Sequence, residues 1–305
     1  MKAFVSRNPV LTFISLTLGF QLAIVLIAWV MLPTGVKLHE IPDAHMIFRL
    51  RLFGPLLFAV AITACIEGGI GIRKLFASFL NWRVGPQWYL LAFTWKFLFT
   101  WIGIIIMTSL GFAEWPGWFT PEWLMPLLRN LTFVVGIAIV EETAWIKFSV
   151  TRLQEKYTAL KSCMIVGLCW GSWYMPMLIL GEGVPDGMPW FAFLVGMFSL
   201  TVMLGWAYNM THSGVVLLIM QIIGNCAFFI VPVLPGWAPG PIFVVSCRMG
   251  FCVGAAIIII WYGPKGLADR PRAKWSDPML RAVGGIKRPL GAARNGGSPS
   301  LGRRA

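Results

Sequence analysis

The chain has 305 residues, of which 58% are hydrophobic and only 12% charged, and its formal net charge is +13. A soluble globular domain carries roughly 25% charged residues, so a water-soluble fold is excluded. The apolar runs do not alternate with polar residues as barrel strands do, so the composition defines an all-α, polytopic membrane protein.

A helix needs ~20 residues to cross about 30 Å of hydrocarbon. Eight stretches meet or approach that length: Leu11 to Leu32, Leu52 to Ile72, Trp88 to Leu110, Leu124 to Phe148, Ser162 to Leu180, Trp190 to Trp206, Ser213 to Val231 and Ile242 to Tyr262. The first follows Lys2 and Arg7 like a signal sequence, but its apolar run is too long for a cleaved one, so it reads as a retained anchor. Between the second and third spans, apolar Leu75, Phe76, Phe79, Leu80 and Trp82 interleave with Arg73, Lys74 and Arg83. That stretch suits either a helix in the headgroup layer or a connector with a snorkelling basic face. The organisation expected is a two-span region over 1–74, a membrane core over 75–231, a last span over 232–262 and a basic tail over 263–305.

Positive loops stay on the cytoplasmic side. Lys2 and Arg7, then Arg73, Lys74 and Arg83, then Arg152, Lys156 and Lys161 fall on one side, as does a tail with ten Lys/Arg against Asp269 and Asp277. Both termini are therefore expected in the cytoplasm. Arg49 and Arg51, at the end of the first outer loop, run against the rule. The tail, rich in Gly, Pro, Ser and Arg, is expected to be disordered. Its charge is suited to anionic lipid and calls for no nucleic acid partner. The six cysteines lie in predicted spans and form no CxxC pair, so they read as small apolar packing residues.

Glu141 and Glu142 stand side by side inside the apolar stretch 131–148. A carboxylate at membrane depth is costly and marks a functional site by default. The alternative is structural charge pairing, with Lys96 on the third span, Arg129 on the fourth and Arg248 on the eighth as candidate cations. Gln221 and Asn225, four residues apart, share one helix face, and their amides belong inside the bundle.

Three segments in order carry a resemblance: Glu141-Glu142-Thr143-Ala144-Trp145-Ile146-Lys147, Trp170-Gly171-Ser172-Trp173-Tyr174-Met175-Pro176, and Gly205-Trp206-Ala207-Tyr208-Asn209-Met210-Thr211 followed by Gln221 and Asn225. With Leu80 to Tyr89 at the start of the third span, the stretch from about Leu75 to Val231 resembles the CAAX-protease and bacteriocin-processing family of intramembrane endopeptidases. That family places an arginine where this chain has Ile146, with Lys147 adjacent. It places histidines where this chain has Tyr174 and Gln221. Glu141, Glu142 and Asn225 match.

The resemblance implies Glu141 as the base that activates water and Asn225 as the oxyanion donor, with the remaining site positions at Glu142, Tyr174 and Gln221. An amide donor of this kind is worth roughly 3 kcal/mol in a transition state. Tyrosine titrates near 10 and glutamine does not usefully exchange a proton, so neither replaces a histidine shuttle at neutral pH. His39 and His45 belong to the first outer loop and His212 to the inner start of the seventh span. Zinc takes three or four His, Cys, Asp or Glu ligands, so neither a metal nor another cofactor is expected. Three functions stay open: a catalytically impaired family member that binds or assists, a divergent active glutamate endopeptidase acting on membrane-associated or prenylated peptides, and an unrelated transporter or lipid-binding protein.

Overall fold

The structure, a computed structural model, describes residues 2–180, 182, 189–233 and 249–278. Among these residues there is helix and no strand. The helices are α1 (Lys2–Arg7), α2 (Pro9–Val30), α3 (Pro42–Leu50), α4 (Gly54–Ala77), α5 (Pro86–Ser109), α6 (Leu124–Glu141), α7 (Thr151–Leu153), α8 (Ala159–Ile179), α9 (Trp190–Thr211), α10 (Gly214–Ile230) and α11 (Gly250–Gly266). Six helical segments are long and apolar enough to cross a membrane, and α10 and α11 are shorter apolar helices of 17 residues. At 1.5 Å per residue those two span about 25 Å. α10 falls within the seventh expected stretch and α11 overlaps the second half of the eighth. The first half of the last expected span lies outside the described residues, as does Arg248.

Local sequence sets the helix starts. Proline occupies the first turn of α2, α3, α4 and α5, where its missing N–H costs no hydrogen bond. The Thr158 hydroxyl accepts from the Lys161 N–H to cap α8, and the Ser213 hydroxyl accepts from the Val216 N–H to cap α10. Outward-facing Leu22, Leu57, Leu90 and Ile102 are more than half exposed, as lipid-facing side chains must be.

The expected fourth span is not one α-helix. α6 ends at Glu141 and continues as a nine-residue π-helix, Glu142–Val150, before the short α7. The Thr151 N–H donates to the Ile146 carbonyl and the Ser149 hydroxyl to the Ala144 carbonyl, both five residues back. Every residue from Glu142 to Val150 is buried. The segment is the axis of the bundle, surrounded by α4, α8, α9 and α10. Trp145 stacks on Trp170 at 5.8 Å and meets the edge of Phe13 at 5.2 Å, while Phe148 also packs on Phe13. The wider π turn suits a segment that must present side chains inward on all sides.

The amphipathic stretch after the second span resolves into the last turns of α4 and a short 3-10 turn, Ser78–Leu80. Leu75 is fully buried there, whereas Leu80 and Trp82 project outward. Part of the basic C-terminal segment is folded onto the bundle. The Trp275 N–H donates to the Thr151 carbonyl, its indole N–H donates to Glu67, and Gln154 donates to the Ala273 carbonyl. Residues 279–305 lie outside the described residues.

Candidate functional site

Glu141 closes α6 at the point where the helix widens, with 1% of its surface exposed. One carboxylate oxygen accepts from the Tyr174 hydroxyl of α8. The other accepts from the Gln221 side-chain amide of α10 at 2.5 Å. Three of the five expected site residues therefore meet, from three helices that are 33 and 80 residues apart in sequence. Tyr174 and Gln221, the two positions at which the resemblance implies histidines, both donate to Glu141.

Asn225, one helical turn beyond Gln221, lines a cavity of about 270 Å³ together with Tyr174. Phe133, Phe228 and Phe229 give this cavity an apolar wall, and Asn130, Arg49 and Arg51 a polar one. Glu141 stands behind that wall, reached through Tyr174. Glu142 points elsewhere: it is fully buried, does not line the cavity, and neither carboxylate oxygen has a hydrogen-bond partner among the described residues. The glutamates are neighbours in sequence with different surroundings.

The Lys96 ammonium lies over Phe228 at 4.6 Å and Phe251 at 4.5 Å. Lys147 lies over Tyr208 and Trp275. Arg129 makes no ion pair among the described residues. The cation at the site is Arg51, only 2% exposed. Its guanidinium donates to Gln21 at 3.2 Å and to the Trp173 carbonyl at 3.3 Å, and it sits 4.5 Å from the rings of Phe48 and Trp173. Glu141 and Glu182 are within its electrostatic reach. The signal for Arg51 was in the sequence, as an arginine on the side where the charge rule puts few positive residues.

The histidines assigned to the outer loop also come closer than expected. α3 folds back over the bundle, and His45 lines the cavity and pairs with Glu182 at 2.9 Å. Glu67, near the inner end of the second span, pairs with Arg152 at 2.9 Å. It can do so because Gly68, at φ 62°, kinks α4 beside it.

Among the described residues no group of three or more His, Cys, Asp or Glu side chains gathers as a metal would require. At the site itself the donor set is one carboxylate, a phenol and amides, which does not fit zinc.

A multi-helix bundle with a buried carboxylate at the meeting of three helices defines a multi-pass membrane protein with a polar site in its interior. Residues 121–227 match the family model described as type II CAAX prenyl endopeptidase, Rce1-like, a stretch that contains all five expected site residues. The match covers 107 of the 305 residues and supports the resemblance of the membrane core to the CAAX-protease and bacteriocin-processing family. No curated protein matches the chain.

Proposed function

We propose that this protein binds a membrane-associated or prenylated peptide in the cavity beside Tyr174 and Asn225 and is impaired in hydrolysing it. The observation that carries this reading is the state of Glu141. Both of its oxygens are occupied by Tyr174 and Gln221, at the positions where the family has histidines. A glutamate base must take a proton from water and pass it to the leaving amine. Here the groups next to it hold the carboxylate in place without a proton to exchange at neutral pH. Losing such acid–base help costs ~100- to 10,000-fold per group.

A second reading has its own support. Asn225 and the Tyr174 hydroxyl face the same cavity, so a peptide carbonyl there would meet an amide donor, with Glu141 one hydrogen bond behind. That arrangement favours a slow glutamate endopeptidase in which Tyr174 relays to Glu141. The anticipated transporter or lipid-binding alternative has no comparable geometric support.

Proteolysis in reconstituted membranes separates the readings, using prenylated and transmembrane peptides. Under the first, neither the wild type nor Glu141→Ala cleaves, the peptides still bind, and the pair Tyr174→His with Gln221→His restores cleavage. Cleavage by the wild type that disappears in Glu141→Ala would replace it with the second. Absence of both binding and cleavage would discard both.

Both termini belong on the cytoplasmic side in this reading. Phe13 near the start of α2 touches Phe148, and Phe148 touches Trp275 near the end of the described chain, so the two ends meet at one face of the bundle. Anionic lipid at that face is the proposed partner of the basic tail.

A further inference from the structure

At the end of the bundle opposite the cavity, α4, the π-helix, α9 and the C-terminal segment enclose a small concavity. Lys74, Lys147 and Lys274 line it, with Ser78, Tyr208 and His212. Lys147 is 8% exposed and Ser78 4%. Among the described residues none of the three lysines forms an ion pair, and the Ser78 hydroxyl has no hydrogen-bond partner. Asp277 is the one carboxylate on the wall, and it accepts from the backbone N–H of Lys274. Burial holds the His212 imidazole below its ordinary range, so the positive charge comes from the lysines.

A buried ammonium is costly unless an anion meets it. The aromatic faces of Tyr208 and Trp275, 5.7 and 5.5 Å from the Lys147 nitrogen, compensate part of that cost without hydrogen bonds. Three ammonium groups and a free hydroxyl around one concavity supply what a phosphate monoester needs: charge and several donors. We infer that this concavity is a phosphate-binding site, formed by Lys74, Lys147, Lys274 and Ser78. It differs from diffuse attraction of lipid to the tail, because its ligands are fixed in the bundle. The phosphate could be the headgroup of an anionic lipid or a free phosphate.

The test is native mass spectrometry of the full chain released from micelles containing phosphatidic acid or phosphatidylcholine, with and without inorganic phosphate. The expected result is one phosphatidic acid retained per chain in preference to phosphatidylcholine. Binding should weaken about fivefold in Lys274→Gln and by more than about tenfold in Lys147→Met, and persist when Arg281, Lys287, Arg288, Arg294, Arg303 and Arg304 are all changed to Gln. Displacement by inorganic phosphate, with the same dependence on Lys147, would identify free phosphate as a ligand; retention against it would identify the lipid headgroup. Equal retention of both lipids, unchanged binding in both lysine variants, or loss on neutralising the tail would each overturn the site. If Lys147→Met does not fold, as judged by helical circular dichroism, the half-buried Lys274→Gln decides.

Discussion

At the residue scale, two adjacent glutamates behave as different chemical objects. Glu141 accepts from two donors, so removing it takes one acceptor from each. Glu141→Ala is expected to cost about 2–4 kcal/mol, because each buried unsatisfied donor costs about 1–3 kcal/mol. Glu141→Gln is expected to cost less than about 1 kcal/mol, since the Gln221 amide can flip and accept from the new side chain while Tyr174 still donates. Equilibrium unfolding in mixed micelles distinguishes the two, and equal losses would mean that the hydrogen bonds to Glu141 do not hold the site. Glu142 has no such partners among the described residues. The sequence singled out both glutamates on the cost of membrane burial alone, and burial is all they share. Their divergence comes from the helices opposite, which no local pattern encodes.

At the element scale, α8 packs tightly against α9 through two glycines. An added methyl at Gly167 would stand 2.7 Å from the Phe198 Cα, which is backbone and cannot give way. At Gly171, one turn on, it would meet the end of the Leu194 side chain at the same 2.7 Å, which can rotate aside. Small residues four apart let membrane helices approach closely. Gly167→Ala is therefore expected to destabilise by about 1–3 kcal/mol and Gly171→Ala by less than about 1 kcal/mol, read by the same unfolding assay. The reverse order would show that the contact with α9 yields. The helices themselves were legible as apolar runs. The π-helix was not, because its wider turn follows from Trp145, Phe148 and their neighbours packing from every side at once. π-helical turns often accompany functional sites, and this one begins immediately after Glu141.

At the scale of the whole molecule, the C-terminal segment ties the bundle together. Trp275, 6% exposed, donates to Glu67, receives the Arg152 guanidinium 3.8 Å above its ring, and packs on Phe148. Trp275→Ala is expected to release residues 267–278, seen as cleavage there by trypsin at least about tenfold faster than in the wild type, with the membrane helices intact. An unchanged cleavage rate would mean that the hydrogen bonds of Gln154, Asn209 and Arg272 hold the segment alone. The composition of this stretch reads as a disordered tail because it carries few apolar residues. One tryptophan beside a prepared carboxylate and three cations offsets that deficit.

The sequence by itself determined the membrane class and the places of most of the helices. Both follow from a one-dimensional quantity, the length and composition of an apolar run. Only the tertiary structure decided that Glu141 meets Tyr174 and Gln221, that Glu142 meets neither, and that Arg51 rather than Lys96 is the cation beside them. Those outcomes depend on which faces of α6, α8 and α10 turn toward one another, and the orientation of a helix that is apolar on every side is set by packing alone.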